Sequence, residues 1–100
     1  MQTQKLISED VIRTIKKLAD EYHIEKIYLF GSHARGDATE ESDYDLLVYG
    51  GKNFKLTAIF AFAEDLRRNL KKDIDVFEIH EINQESDFFR QIMQERIRVA

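Results

Sequence analysis

In the first quarter of the chain, apolar residues recur at helical spacing. Val11, Ile12, Ile15, Leu18, Ala19 and Tyr22 fall on one side of a 3.6-residue repeat, and Lys16, Lys17, Asp20 and Glu21 on the other. Ser8 is a good N-cap, and Glu9 and Asp10 bring negative charge to the first turn, so a helix is expected from about 9 to 22 with His23 at its end. The period then changes. Lys26 to Phe30 predicts a strand that stops at Gly31-Ser32, and His33 to Gly36 a turn of helix just beyond it. A second strand is expected from about 43 to 49. Tyr44, Leu46 and Val48 share its helix-packed face, Asp43, Asp45 and Leu47 share the other, and Gly50-Gly51 breaks it.

The helical period returns from about 54 to 71, with a stripe of Leu56, Ile59, Ala63, Leu66 and Leu70. Phe60 and Phe62 widen that stripe beyond the usual core-facing arc, which fits either a fully buried helix or a face that binds a partner. Arg67, Arg68, Lys71 and Lys72 suit the dipole at its C-terminal end. Ile74 to Ile79 predicts a third strand. Ser86 caps a last helix whose apolar side is Phe88, Phe89, Ile92 and Met93, and Ile97 to Val99 a short edge strand. These elements alternate, so the fold class is α/β. The expected arrangement is a small mixed β-sheet with carboxylates on one face and helices packed on the other.

One hundred residues suffice for a single domain, 1–100, with a modest core. A 43% apolar and 34% charged composition is that of a soluble globular protein, and no apolar stretch is long enough to span a membrane. Met1 to Ile7 has no apolar signal-peptide core, and with no cysteine there is no disulfide chemistry, so a cytoplasmic location is expected. The net charge of −4 argues against direct DNA binding, because gripping a nucleic-acid backbone takes a basic surface. It leaves a nucleotide open, since bound Mg²⁺ ions supply local positive charge.

The chemistry-bearing stretch is Leu29 to Val48. Gly31 lets a phosphate approach the backbone, Ser32 adds a hydroxyl donor, and N–H groups just after a strand can cradle phosphate oxygens. Ten residues follow Ser32, and then come Asp43 and Asp45. Two apart on a strand, they point to one face at a spacing of roughly 7 Å along it. Such a pair suits two Mg²⁺ ions about 3.5–4 Å apart that clamp an in-line displacement at phosphorus. Asp is depleted in strands, so two at a strand start need a reason. Arg35 can hold phosphate bidentately, although an exposed loop arginine looks the same in sequence. Asp73 and Asp75, again two apart, both stand as candidates for a third metal ligand.

Gly31-Ser32, ten residues, then Asp43-Tyr44-Asp45 resembles the signature of the DNA polymerase beta-like nucleotidyltransferase superfamily. More narrowly it is similar to the minimal nucleotidyltransferases (MNT), the small antitoxin partners of HEPN-domain toxins. Ala34-Arg35-Gly36-Asp37 and Ser42-Asp43-Tyr44-Asp45-Leu46 match that family's wording as well. Ile74-Asp75-Val76-Phe77 resembles its hydrophobic-Asp-hydrophobic-hydrophobic pattern, which favours Asp75 over Asp73.

The resemblance implies nucleotidyl transfer. ATP with two Mg²⁺ ions binds at Gly31, Ser32 and Arg35. Asp43, Asp45 and Asp75 serve as metal ligands and catalytic carboxylates, with Asp75 as an acceptor for the hydroxyl proton. Larger members of the superfamily grip the acceptor with a second domain, so here the expected partner is a HEPN toxin that receives AMP on a hydroxyl, a tyrosine by expectation. Two alternatives stay open: an antitoxin that neutralises by binding alone, and a small-molecule nucleotidyltransferase of the aminoglycoside type.

Overall fold

The computed structural model describes residues 7–100; residues 1–6, and with them most of the segment judged to lack a signal peptide, lie outside the described residues. The first element is α1 (Glu9–Glu21), where Ser8 Oγ accepts the Val11 N–H at 3.3 Å. His23 follows in the left-handed region (φ 59°) and turns the chain into β1 (Lys26–Phe30). The short α2 (Ser32–Arg35) comes directly after it, then β2 (Tyr44–Tyr49), α3 (Ala58–Leu70) and β3 (Ile74–Glu78). A 3-10 turn (Ile79–Glu81), α4 (Asp87–Glu95) and β4 (Ile97–Arg98) complete the order.

The sheet order is β3-β2-β1-β4. β1 runs antiparallel to both β2 and β4, and β2 runs parallel to β3, so the sheet is mixed. Side-chain alternation separates two cores. Ile27 and Leu29 of β1, Leu46 and Val48 of β2 and Ile74 of β3 bury into one, with Ile15 and Leu18 of α1 and Ile59, Phe62 and Leu66 of α3. The opposite face carries Phe30 and Leu47, covered by Ile92, Ile79 and Ile82, with Phe89, Met93 and Phe77 packed alongside. Helix α4 therefore lies on the carboxylate face, which the sequence pattern had left without a helix. It covers Leu47, which is fully buried, and stops short of Asp45, which is only partly so.

Helix α3 starts at Ala58, four residues later than the periodicity suggested. Phe54 is the reason: it is buried in the first core, and its ring lies against Gly50, where an added Cβ would sit 2.3 Å from Phe54 Cδ2. The residue anchors the loop and leaves the helix to begin later. Of the residues assigned to the α3 stripe, Ile59, Ala63 and Leu66 are buried, whereas Leu56 is 58% exposed. The two phenylalanines that widened the stripe part company. Phe62 is fully buried, edge-on to Tyr22 at 5.6 Å between ring centroids, and Phe60 is 78% exposed. Truncating Phe62 to Ala should cost about 3–5 kcal/mol. Phe60→Ser should stay within about 0.5 kcal/mol of wild type. Thermal melts of the two variants check the pair, and equal losses would contradict this division of α3.

Candidate functional site

Strand register assembles the site. The parallel β2–β3 ladder sets Asp45 beside Asp75, and the antiparallel β1–β2 ladder sets Phe30 opposite Asp45. Gly31, the next residue after Phe30, therefore lies over the Asp45 carboxylate, where a Cβ would meet Asp45 Oδ2 at 2.1 Å. Its backbone (φ 79°, ψ −157°) occupies a region open in practice only to glycine. That turn aims the chain into α2, where Ala34 and Arg35 donate their N–H groups to the Gly31 carbonyl and Gly36 closes the helix in the left-handed conformation.

The resulting cleft, about 290 Å³, is lined by Gly31, Ser32, Arg35 and Asp45 together with Phe30, Phe77, Phe88, Gln91, Ile92 and Glu95. Of the sequence-predicted residues, the cleft brings together Gly31, Ser32, Arg35 and Asp45. Asp75 stands beside Asp45 on the neighbouring strand but is exposed. Asp43, just ahead of β2, lines a second, wider cleft with Asp73, Arg67, Lys71 and Lys72. Asp73 thus borders Asp43, while Asp75 is the register partner of Asp45.

Asp45 is the most perturbed carboxylate. Burial, then the charges of Asp75 and Asp43, push its pKa from an ordinary 3.8 to about 6, with Glu95 adding to the rise and Arg35 opposing it. Lone-pair oxygens at a site of excess negative charge are the chemistry that a hard divalent cation takes, so the residues fit Mg²⁺ in kind and in charge. Among the described residues, no three carboxylates or imidazoles stand close enough to enclose an ion.

Two features of the cleft have no counterpart among the sequence-predicted residues. Phe30, Phe77 and Phe88 form a ring cluster with centroids 5.7–5.9 Å apart at one end of it. Glu95, the last residue of α4, accepts the Gly31 N–H at 2.5 Å and the Arg35 guanidinium at 3.1 and 3.2 Å. Its signal was present in the sequence: Glu95 follows Phe88 by seven residues, which puts a carboxylate on the line of the apolar stripe of α4.

A glycine-serine turn after a strand, facing carboxylates on two parallel strands of a mixed sheet, is the construction of a nucleotidyltransferase domain. Residues 13–100 match the model of the polymerase beta nucleotidyltransferase family, and the chain belongs to that family. Two relatives from Methanocaldococcus jannaschii, each bearing the name "Putative protein adenylyltransferase", are 45% identical over 53 residues and 48% identical over 56 residues. Those alignments cover 53% and 54% of this chain and 53% and 52% of the relatives, so the chain spans about half the length of the curated relatives it matches. A solved structure of a "putative minimal nucleotidyltransferase" superposes with a TM-score of 0.73 at 26% identity, covering 86% of each chain. A toxin–antitoxin structure with AMP-PNP superposes with a TM-score of 0.74 at 23% identity, over 89% of this chain and 72% of that one. A Shewanella oneidensis complex of a tri-AMPylated HEPN toxin with its MNT antitoxin shares the same fold, with a TM-score of 0.71 at 20% identity over 94% of this chain and 72% of that one. Among the described residues no helix is long and apolar enough to cross a membrane.

Two outcomes test this geometry. Gly31→Ala should destabilise the fold by about 1–3 kcal/mol through backbone strain. It should also displace the Asp45 carboxylate, seen as a lower Tm and a changed Asp45 titration. For Asp45 itself, a folded pKa above the unfolded one means that ionisation is costly in the folded state. The cost is absent below about pH 4, grows as the pH rises through about 6, and is fully present at neutral pH. Asp45→Asn should therefore match wild type in stability near pH 4 and exceed it at pH 7.5. After discounting for solvent access the gain is about 1–2 kcal/mol. Melts at the two pH values check it, and an Asn variant less stable at pH 7.5 would make Asp45 a structural hydrogen-bonding residue.

Proposed function

We propose that this chain is a Mg²⁺-dependent protein adenylyltransferase that acts as an antitoxin, moving AMP from ATP onto a hydroxyl, a tyrosine, of a partner HEPN toxin. The observation that carries the proposal is the apposition of Gly31 and Asp45, with Asp75 in register beside Asp45 and Asp43 two residues before it. Family membership supports nucleotidyl transfer, the names of the archaeal relatives support protein as the acceptor, and the toxin–antitoxin neighbours share the fold.

In this mechanism Gly31, Ser32 and Arg35 hold the phosphates of ATP, and the cleft walls orient the α-phosphorus towards the carboxylates. Asp43, Asp45 and Asp75 would hold two Mg²⁺ ions, which supply positive charge for the triphosphate and the developing transition state. The hydroxyl oxygen of the acceptor forms a bond to the α-phosphorus, the bond to the bridging oxygen breaks, and pyrophosphate leaves. The hydroxyl proton passes to Asp75, which is solvent-exposed and can return it to water. A cytoplasmic setting follows from the ATP requirement.

One observation favours a second mode. Phe60 and Leu56 stand exposed beside a depression of about 250 Å³ that includes Ile59 and His80, a surface suited to neutralising a partner by contact alone. The two modes separate on incubation of the chain with its HEPN partner, ATP and Mg²⁺, followed by intact-mass measurement. A mass increase of the partner in AMP units is expected. Asp43→Asn with Asp45→Asn should reduce the rate by about 10³-fold or more, since metal charge stabilisation is worth several kcal/mol. Tight complex formation with no mass change would establish binding as the mode of action, and undiminished transfer by the double variant would end the two-metal mechanism.

A further inference from the structure

The Glu95 carboxylate holds the same donors that the proposed function gives to the triphosphate. One oxygen accepts the Gly31 N–H at 2.5 Å, and both accept the Arg35 guanidinium at 3.1 and 3.2 Å. The Glu95 side chain is 12% exposed, so this is a sequestered carboxylate, and among the described residues Arg35 is the only cation lining the cleft. A carboxylate that spans a backbone N–H and a guanidinium presents two oxygens much as a phosphate would. Its charge, moreover, adds to that of the acidic cluster around Asp45. A nucleotide phosphate cannot share those donors with Glu95, because two anions would then face each other in a partly desolvated cleft.

We propose that Glu95 is an internal stand-in for phosphate: it keeps the Gly31 loop and Arg35 in their binding geometry while the cleft is empty, and the incoming nucleotide displaces it. The inference rests on the assignment of Gly31, Ser32 and Arg35 as phosphate ligands. The backbone at Glu95 is fixed, since the Arg96 guanidinium lies over the Tyr28 ring at 4.6 Å and Ile97 pairs with Leu29 on β1. The exchange is therefore a side-chain rotation and needs no movement of α4. Gln91, one turn earlier, already reaches Glu95 Oε1 at 3.4 Å and lies within the same cleft.

The test is calorimetric titration of the full chain with ATP in millimolar Mg²⁺, comparing wild type, Glu95→Gln and Glu95→Asp. Removing an anion that must be displaced should tighten ATP binding about tenfold in Glu95→Gln, the scale of one charge-assisted hydrogen bond. Glu95→Asp keeps the charge but is one methylene too short to hold both donors, so it should tighten binding as well. Tightening in both variants supports the stand-in. If Glu95→Gln binds ATP as wild type does or more weakly, Glu95 is a supporting residue and the inference falls, while the nucleotide assignment stands. Tightening in Glu95→Gln with wild-type affinity in Glu95→Asp would show general repulsion instead, and also overturns it. No ATP binding by any of the three would bring down the nucleotide assignment together with the inference. A measurement on wild type alone guards against variants that fold poorly. The Glu95 carboxyl ¹³C resonance should move on saturation with ATP, and a resonance that stays put overturns the proposal.

Discussion

The site depends on a sheet that holds like charges together. Carboxylates repel in the absence of a counter-ion, and nothing in their own chemistry would gather them. They are gathered because Asp45 and Asp75 are locked into adjacent register positions by the parallel β2–β3 ladder. The opposite faces of those same strands bury Leu46, Val48 and Ile74. A slip of one residue would turn those apolar side chains to the cleft and the acids to the core, so hydrophobic burial enforces the placement of charge. The raised pKa of Asp45 is the local sign of that enforcement, and the energy comes from the core beneath.

The far end of the sheet is fixed by different means. Glu78, the last residue of β3, is 2% exposed, and its carboxylate accepts the Gly50 and His80 N–H groups while Glu81 returns a bond to the Glu78 N–H. The buried acid at this end of β3 is thus satisfied by backbone donors, whereas Asp75, near the other end, is exposed to solvent beside Asp45 of β2.

Much of this was legible in the sequence because the physical signals are local. Period-two alternation from 43 to 49 separated the acid-bearing face from the core face, Ser8 and Ser86 announced the starts of α1 and α4, and Gly31-Ser32 marked the turn. What escaped was set by tertiary partners. Phe54 delays α3 because a glycine fifty residues into the chain offers it a seat, and only the folded neighbourhood tells Phe60 from Phe62. Glu95 showed in the sequence only as a carboxylate on the line of the α4 stripe; its partners Gly31 and Arg35 lie 64 and 60 residues away, and no spacing rule links a helix end to a loop across that distance. The site residues were proposed from motif and resemblance; the structure adds where each stands.

The contact between Gly31 and Asp45 has a further consequence for how this sequence can change over time. A side chain at position 31 and the carboxylate at position 45 claim the same space, so gaining the first means moving the second. A change at Gly31 therefore carries two costs, the displaced acid and the strained backbone, whereas a change at Asp45 carries neither. Sterics thus favour one order of loss: the carboxylate first and the loop after it. A lineage of this fold that abandons its chemistry would then pass through a stage with the loop glycine intact and the acid already gone. A descendant with the reverse combination, a bulky residue at 31 above an intact Asp45, would bear both costs at once and is the disfavoured path.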